Sequence, residues 1–237
     1  MGEIVICQSW GGLGDNLQYT TLPELFHNMG FKVYISDKNA YRNSEIYDLV
    51  WKLNPYIQGI SDLPPNAGEC RGMNLFTDNF LRNIELSHSL YNGFREYPII
   101  YYKPKYVDNI DKYIFYDTTS ISTNPGDLQL KTAFENIFSK HPNLIPCKIK
   151  FIHIDNREIE NFSHEEYIIH NIYEYCDLLY SCKVFVTGFS GASHLCSAVK
   201  QENPTPIIYS FHTPEGIQAN AAFYKFKNVN YLPLPSL

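Results

Sequence analysis

Two stretches of the 237-residue chain combine glycines with groups that can do chemistry. The first, SWGGLGDNLQYTTLPELF (9–26), follows the apolar run IVIC and sets Gly11, Gly12 and Gly14 just ahead of Asp15 and a helical apolar pattern. The second, VFVTGFSGASHLCSAV (184–199), repeats the order of strand, small-residue turn and helix, with Gly188, Ser190, Gly191, Ser193 and His194 where the helix begins. A glycine turn between a buried strand and a helix lets a ligand approach the backbone, and the helix N-terminus adds unpaired N–H groups and the positive end of a dipole. The later turn is therefore a candidate anion site, with the ring N–H of His194 as a further donor. Asp15 has two readings: a carboxylate that takes a proton, or a helix cap worth about 0.5–2 kcal/mol. Neither turn has the G-x-G-x-x-G spacing of a dinucleotide fingerprint or the lysine of a P-loop.

The elements that must hold these turns alternate. Strand signals at EIVICQS (3–9), KVYISD (32–37) and YIQGIS (56–61) enclose helical patterns at 15–29 and 44–53, the order of a parallel sheet wound by crossover helices. Periodicity fades over 64–72; a helix at 75–90 and a strand at YPIIYY (97–102) complete a first lobe, residues 1–111. The second lobe, 112–237, runs through YIFYDTT (113–119), a helix at 128–139, KIKFIHI (148–154), a helix at 164–181, KVFVTG (183–188), a helix at 192–199 and PIIYSF (206–211). The expected fold class is α/β, with two Rossmann-like lobes of mainly parallel sheet facing a central cleft. His153, Asp155 and Arg157 follow one strand and His212, Thr213 and Glu215 another, the ends at which open α/β sheets gather ligands. Asp155 and His212 are thus candidate substrate contacts. On a single helix over 164–181, His164 and His170 would be six residues apart and would not share a face.

Composition narrows the function. A net charge of −6 without a Lys/Arg cluster argues against a nucleic-acid partner, which needs many cationic contacts. Cys7, Cys70, Cys147, Cys176, Cys182 and Cys196 contain no C-x-x-C pair and read as reduced core thiols, so no metal site is expected. With no signal peptide or apolar span, the expected location is the cytoplasm. Tyr and Phe are abundant, which suits sugar stacking and an aromatic core equally well.

The stretches GGLGDNLQYTTLPEL and LLYSCKVFVTGFSGASHLCSAV together resemble glycosyltransferase family 9, the lipopolysaccharide heptosyltransferases. Members of that family open with a G-x-G-D turn and carry a late G-x-D-S-G-x-x-H-L turn; WKLNPYIQGI (51–60) is similar to the family's helix, Asn-Pro, strand connection. The resemblance implies a GT-B fold with an N-terminal acceptor lobe and a C-terminal nucleotide-sugar lobe. It implies inverting, metal-independent and cofactor-free transfer from a nucleotide-sugar, ADP-heptose-like among the candidates, to a glycan or lipid-linked acceptor. Such an acceptor would allow peripheral contact with a membrane. Asp15 takes the general-base role, and Gly188, Ser190, Gly191 and His194 hold the donor diphosphate.

Two departures stand out. Phe189 replaces the acid before Ser-Gly, and YDTTSIST (116–123) replaces a Lys/Arg-bearing segment, leaving Thr118, Thr119 and Ser120 as neutral phosphate donors. These departures give substance to the alternative of a non-catalytic nucleotide-sugar-binding or interaction protein on a reduced GT-B frame, while retention of Asp15 favours the enzyme. An epimerase would need several acids where only Asp15 is well placed. Fucosyltransferase-like families follow G-G-x-G with Asn and add a His-x-Arg motif absent here.

Overall fold

The structure, a computed structural model, describes residues 2–69, 79–90, 95–119, 126–213 and 226–236. Cys70, Ser120, Glu215 and positions 75–78 of the expected helix lie outside them. The chain forms two compact units, Met1–Lys103 with Ala222–Lys227, and Pro104–Ala221 with Asn228–Leu237. The change of unit falls between Lys103 and Pro104, ahead of the expected boundary at 111/112. Lys105 N–H donates to Asp177 and Val107 N–H to the Ser181 hydroxyl, tying this segment to the second unit (both 2.8 Å).

In the first unit β1 (Glu3–Cys7) leads into α1 (Leu13–Leu17) and α2 (Leu22–Asn28), followed by β2 (Lys32–Ser36). Next come α3 (Ser44–Tyr47), continued by a π-helical turn at Asp48–Lys52, then β3 (Ile57–Ser61), the two-residue β4 (Ala67–Gly68) and α4 (Phe80–Ser87). All strands are parallel, in the order β3-β2-β1-β4. The sheet order reverses between β1 and β4.

The second unit contains β5 (Tyr113–Asp117), α5 (Asp127–Phe138), β6 (Ile145–Phe151), β7 (Glu165–Ile169) and α6 (Ile172–Ser181). It continues with β8 (Val184–Gly188), α7 (Gly191–Lys200), β9 (Ile207–His212) and β10 (Asn230–Pro233). Its six parallel strands run β10-β9-β8-β5-β6-β7, the doubly wound nucleotide-binding order, with the switch point between β5 and β8. Ile114, Tyr116, Phe134, Val186 and Phe211 pack together in its core.

Several elements differ from expectation. The helix expected at 15–29 is broken at Gln18–Thr21, because Pro23 near the start of α2 has no N–H and its ring would crowd the carbonyl four residues back. The helix expected at 164–181 is a strand followed by a shorter helix: the apolar, β-branched end of EEYII pairs with β6, and Asn171 then caps α6 by accepting from Tyr173 and Glu174 N–H. His164 and His170 therefore flank β7 rather than ride one helix. YPIIYY is not a strand; Pro98 lacks a donor, and Ile99 N–H donates to the Thr20 hydroxyl (3.0 Å) rather than to a ladder. The five described cysteines are free thiols, all buried except the partly exposed Cys7. Among the described residues no helix is long and apolar enough to cross a membrane.

Candidate functional site

Each sheet places chemistry-bearing residues at the carboxyl ends of the strands that flank its switch point, where ligands enter open α/β sheets. In the first unit these are the residues after β1 and β4. Gly12 is the N-cap of α1, and Asp15, at the third position of that helix, turns its Oδ2 back to accept from Gly12 N–H (3.2 Å). A Cβ on residue 12 would lie 2.5 Å from that oxygen, so any larger residue there would push the Asp15 carboxylate aside. Burial raises the Asp15 carboxyl above its ordinary value; Gly12 N–H and Arg42 oppose the rise, and the Glu69 charge adds to it. A raised carboxyl is a better match for proton abstraction near neutral pH. Both readings of Asp15 thus have a physical basis: one oxygen caps the helix, and Oδ1 accepts from no described residue.

The next residue, Asn16, is fully buried and fixes the turn. Its Nδ2 donates to Gly12 and Ala40 carbonyls (3.0 and 3.3 Å), while its Oδ1 accepts from Trp51 Nε1 (2.8 Å) and Asn39 Nδ2 (3.1 Å). Sequence reasoning passed over Asn16, although an amide inside an otherwise apolar helical pattern was the available signal.

In the second unit β8 ends at Gly188, and Ser190 caps α7 by accepting from Ala192 N–H (3.2 Å). Gly188 is buried, while Ser190 and Gly191 are partly exposed. His194 lies one turn into α7 and its Nδ1 donates to the Ser190 carbonyl (3.0 Å). A neutral ring that donates from Nδ1 presents Nε2 as an acceptor. Phe189 is buried with its ring centroid 5.6 Å from that of His194 and 3.8 Å from that of His212, so the residue that replaces the expected acid packs between two imidazoles. His212, at the end of β9, is fully buried, and neither ring nitrogen has a hydrogen-bond partner among the described residues.

Burial pushes both histidines down to about 4, and for His212 the charge of His194 adds to this. The unfolded chain takes up protons near pH 6.5 that the folded rings refuse until about 4. Stability is therefore full above 6.5 and falls as the pH drops through that window, by about 2 kcal/mol per ring between pH 7 and 5. Glu85 in α4 titrates in the opposite sense over the same range, because burial raises its carboxyl to about 7. The informative quantity is thus a difference between proteins. Urea denaturation of His212→Gln should lose about 2 kcal/mol less than the parent between pH 7 and 5. Equal losses would show that the buried ring does not titrate as its surroundings require.

Thr118 and Thr119 follow β5, but both hydroxyl hydrogens are committed. Thr118 donates to the Arg157 carbonyl (2.8 Å) and Thr119 to Asp117 Oδ1 (2.6 Å), whose other oxygen accepts from Tyr175 (2.9 Å). As placed, they are not ready phosphate donors. The same bonds bring Arg157 to the end of β5, where its Nε donates to Asp127 in the first turn of α5 (3.0 Å). The Arg157 backbone thus meets the residue after β5 and its guanidinium pairs with Asp127, where the sequence offered Thr118, Thr119 and Ser120 as neutral donors. Asp155 is exposed between β6 and β7.

Two mainly parallel sheets with helices match the GT-B fold of solved heptosyltransferase structures. No protein-family model and no curated protein sequence matches the chain. Among solved structures, the glycosyltransferase of family 9 from Veillonella parvula aligns with a TM-score of 0.62 at 10% identity, covering 99% of this chain and 86% of that one. E. coli heptosyltransferase WaaC with ADP-2-deoxy-2-fluoro heptose gives 0.57 at 10% identity, over 99% and 94% of the two chains. The dodecameric iron-containing heptosyltransferase TibC, solved with ADP-D-beta-D-heptose, gives 0.55 at 15% identity, over 84% of this chain and 56% of that one. The chain thus spans little more than half of TibC. At these identities the likeness is one of fold.

Proposed function

We propose that this protein transfers a sugar, heptose among the candidates, from a nucleoside-diphosphate sugar to a hydroxyl of a glycan or lipid-linked acceptor, with inversion and without a metal. The reading places it in the cytoplasm, in the assembly of lipopolysaccharide or another surface glycan. Asp15 takes the proton of the acceptor hydroxyl as its oxygen bonds the anomeric carbon and the bond to the diphosphate breaks. The diphosphate departs against the N-terminus of α7, where Ser190, Gly191 and His194 lie. The first unit would take the acceptor and the second the donor.

The observation that supports this reading most is the β5/β8 switch point, with the ten-residue α7 starting directly beyond β8. A non-catalytic nucleotide-sugar binder is favoured by one feature, the burial of Phe189 where the resemblance expects an acid. Both readings require nucleotide binding, and only the first requires Asp15 to act as a base.

The test is a melting-temperature titration with ADP, ADP-sugars and other nucleotide-sugars, in EDTA, since a ligand of the folded state alone raises apparent stability. A saturable rise that survives EDTA is expected; no rise at millimolar nucleotide removes the donor site, and a rise that needs Mg²⁺ or Mn²⁺ removes metal independence. His194→Ala should weaken ADP by roughly tenfold or more, the worth of a hydrogen bond to a charged group, while leaving adenosine nearly unchanged. Because Nε2 must gain a proton to donate, ADP affinity in the parent should rise as pH falls from 7 to 6. Equal losses for ADP and adenosine would place His194 away from the phosphates.

A further inference from the structure

The first unit's switch point carries a second arrangement, unconnected with the helix cap. Gly68, at the end of β4, has φ +87°, and a Cβ there would lie 2.3 Å from the Cys7 carbonyl oxygen, so only glycine lets the strand end close against β1. The following residue, Glu69, then comes back to the loop after β1. Its Oε2 accepts from Ser9 N–H (2.7 Å) and the Ser9 hydroxyl (2.6 Å), and its Oε1 accepts from Trp10 Nε1. The Trp10 backbone N–H donates to Gln8 Oε1 (2.8 Å). The indole is thus held at both backbone and ring, yet it remains 66% exposed. A large apolar ring held by a buttressed carboxylate is poorly explained by packing, because the bonds fix its orientation without removing its surface from water.

We propose that Trp10 is a stacking platform for a pyranose ring of the acceptor, with Glu69 as the carboxylate at its rim. The apolar C–H face of a pyranose covers an indole much as another aromatic ring does, and its hydroxyls find carboxylates at the edge of the contact. Trp10 lies in the short loop between β1 and α1, the segment that leads directly to the proposed base, Asp15. The proposal rests on the transferase reading and deepens it by giving the acceptor a sugar at the attacked end rather than a bare lipid or protein hydroxyl.

The chain has two tryptophans, and the other, Trp51, is fully buried, so a change in the exposed component of indole emission reports on Trp10. The probes are the methyl glycosides of glucose, galactose, mannose and a heptose. At least one should shift or quench the parent's emission saturably and show saturation transfer from aromatic to sugar protons. Trp10→Ala should weaken that glycoside by roughly tenfold, with Trp10→Phe in between. Glu69→Gln keeps an amide oxygen for the indole and should weaken the glycoside less. The ADP-induced melting shift should be unchanged in all three variants. No response to any glycoside, or equal binding by the parent and Trp10→Ala, overturns the platform even if ADP binds. Loss of ADP binding with glycoside binding intact overturns the donor reading and leaves the platform standing.

Discussion

Asp15→Asn should melt and bind nucleotide like the parent while losing transfer by roughly 10²–10⁴-fold, the usual contribution of a general base. The amide keeps the side chain's size and an oxygen that can still accept from Gly12 N–H, so the start of α1 stays closed within about 1 kcal/mol. It cannot take the acceptor's proton. A pure cap would behave otherwise, because Asn serves that purpose nearly as well as Asp and the rate would be unchanged. The measurement is single-turnover transfer to a glycoside acceptor, or slow hydrolysis of the nucleotide-sugar by water. A variant indistinguishable from the parent in rate, melting and donor affinity would return Asp15 to a structural role.

The second large effect belongs to Asn16. Asn16→Ala removes two donors and one shared acceptor from a site with no solvent to replace them, leaving the Trp51 indole N–H buried without its partner. One stranded buried donor costs about 1–3 kcal/mol and the other lost bonds about 1 each, so the variant should lose about 3 kcal/mol or more in urea denaturation. Trp51→Phe made in the Asn16→Ala background removes the stranded group and should recover part of that loss, a coupling that a double-mutant cycle measures. A loss under about 1 kcal/mol would mean that the network does not hold the turn.

The alternating order of both sheets was readable because buried parallel strands give short, near-continuous apolar runs separated by helical periods. Both glycine turns were readable because they sit at the ends of such runs. β7 was hidden because its charged start, Glu165 and Glu166, continues in phase with the helix that follows, and only pairing with β6 makes it a strand. The partners of Thr118 and Thr119 were hidden for another reason. Residue type gives a hydroxyl's capacity but not its partner, and their partners, Arg157 and Asp117, are fixed by tertiary placement. Glu69 and Trp10 are far apart in sequence, and nothing local announces that the positive φ of Gly68 joins them.

The assignment of residues to the two units affects how the protein can be made. Phe226, almost fully buried, and Lys227, paired with Glu96 at 3.0 Å, belong to the unit formed by the first hundred or so residues. During synthesis that early unit waits for residues that leave the ribosome only after β1 to β9 have been translated. Its four-stranded sheet, complete by Gly68, must remain soluble through that interval. β10 emerges later still and docks on β9, so both units reach their final form at nearly the same moment. A stall or truncation before residue 226 would leave both incomplete, and co-translational proteolysis should show protection of the two units appearing together rather than one after the other.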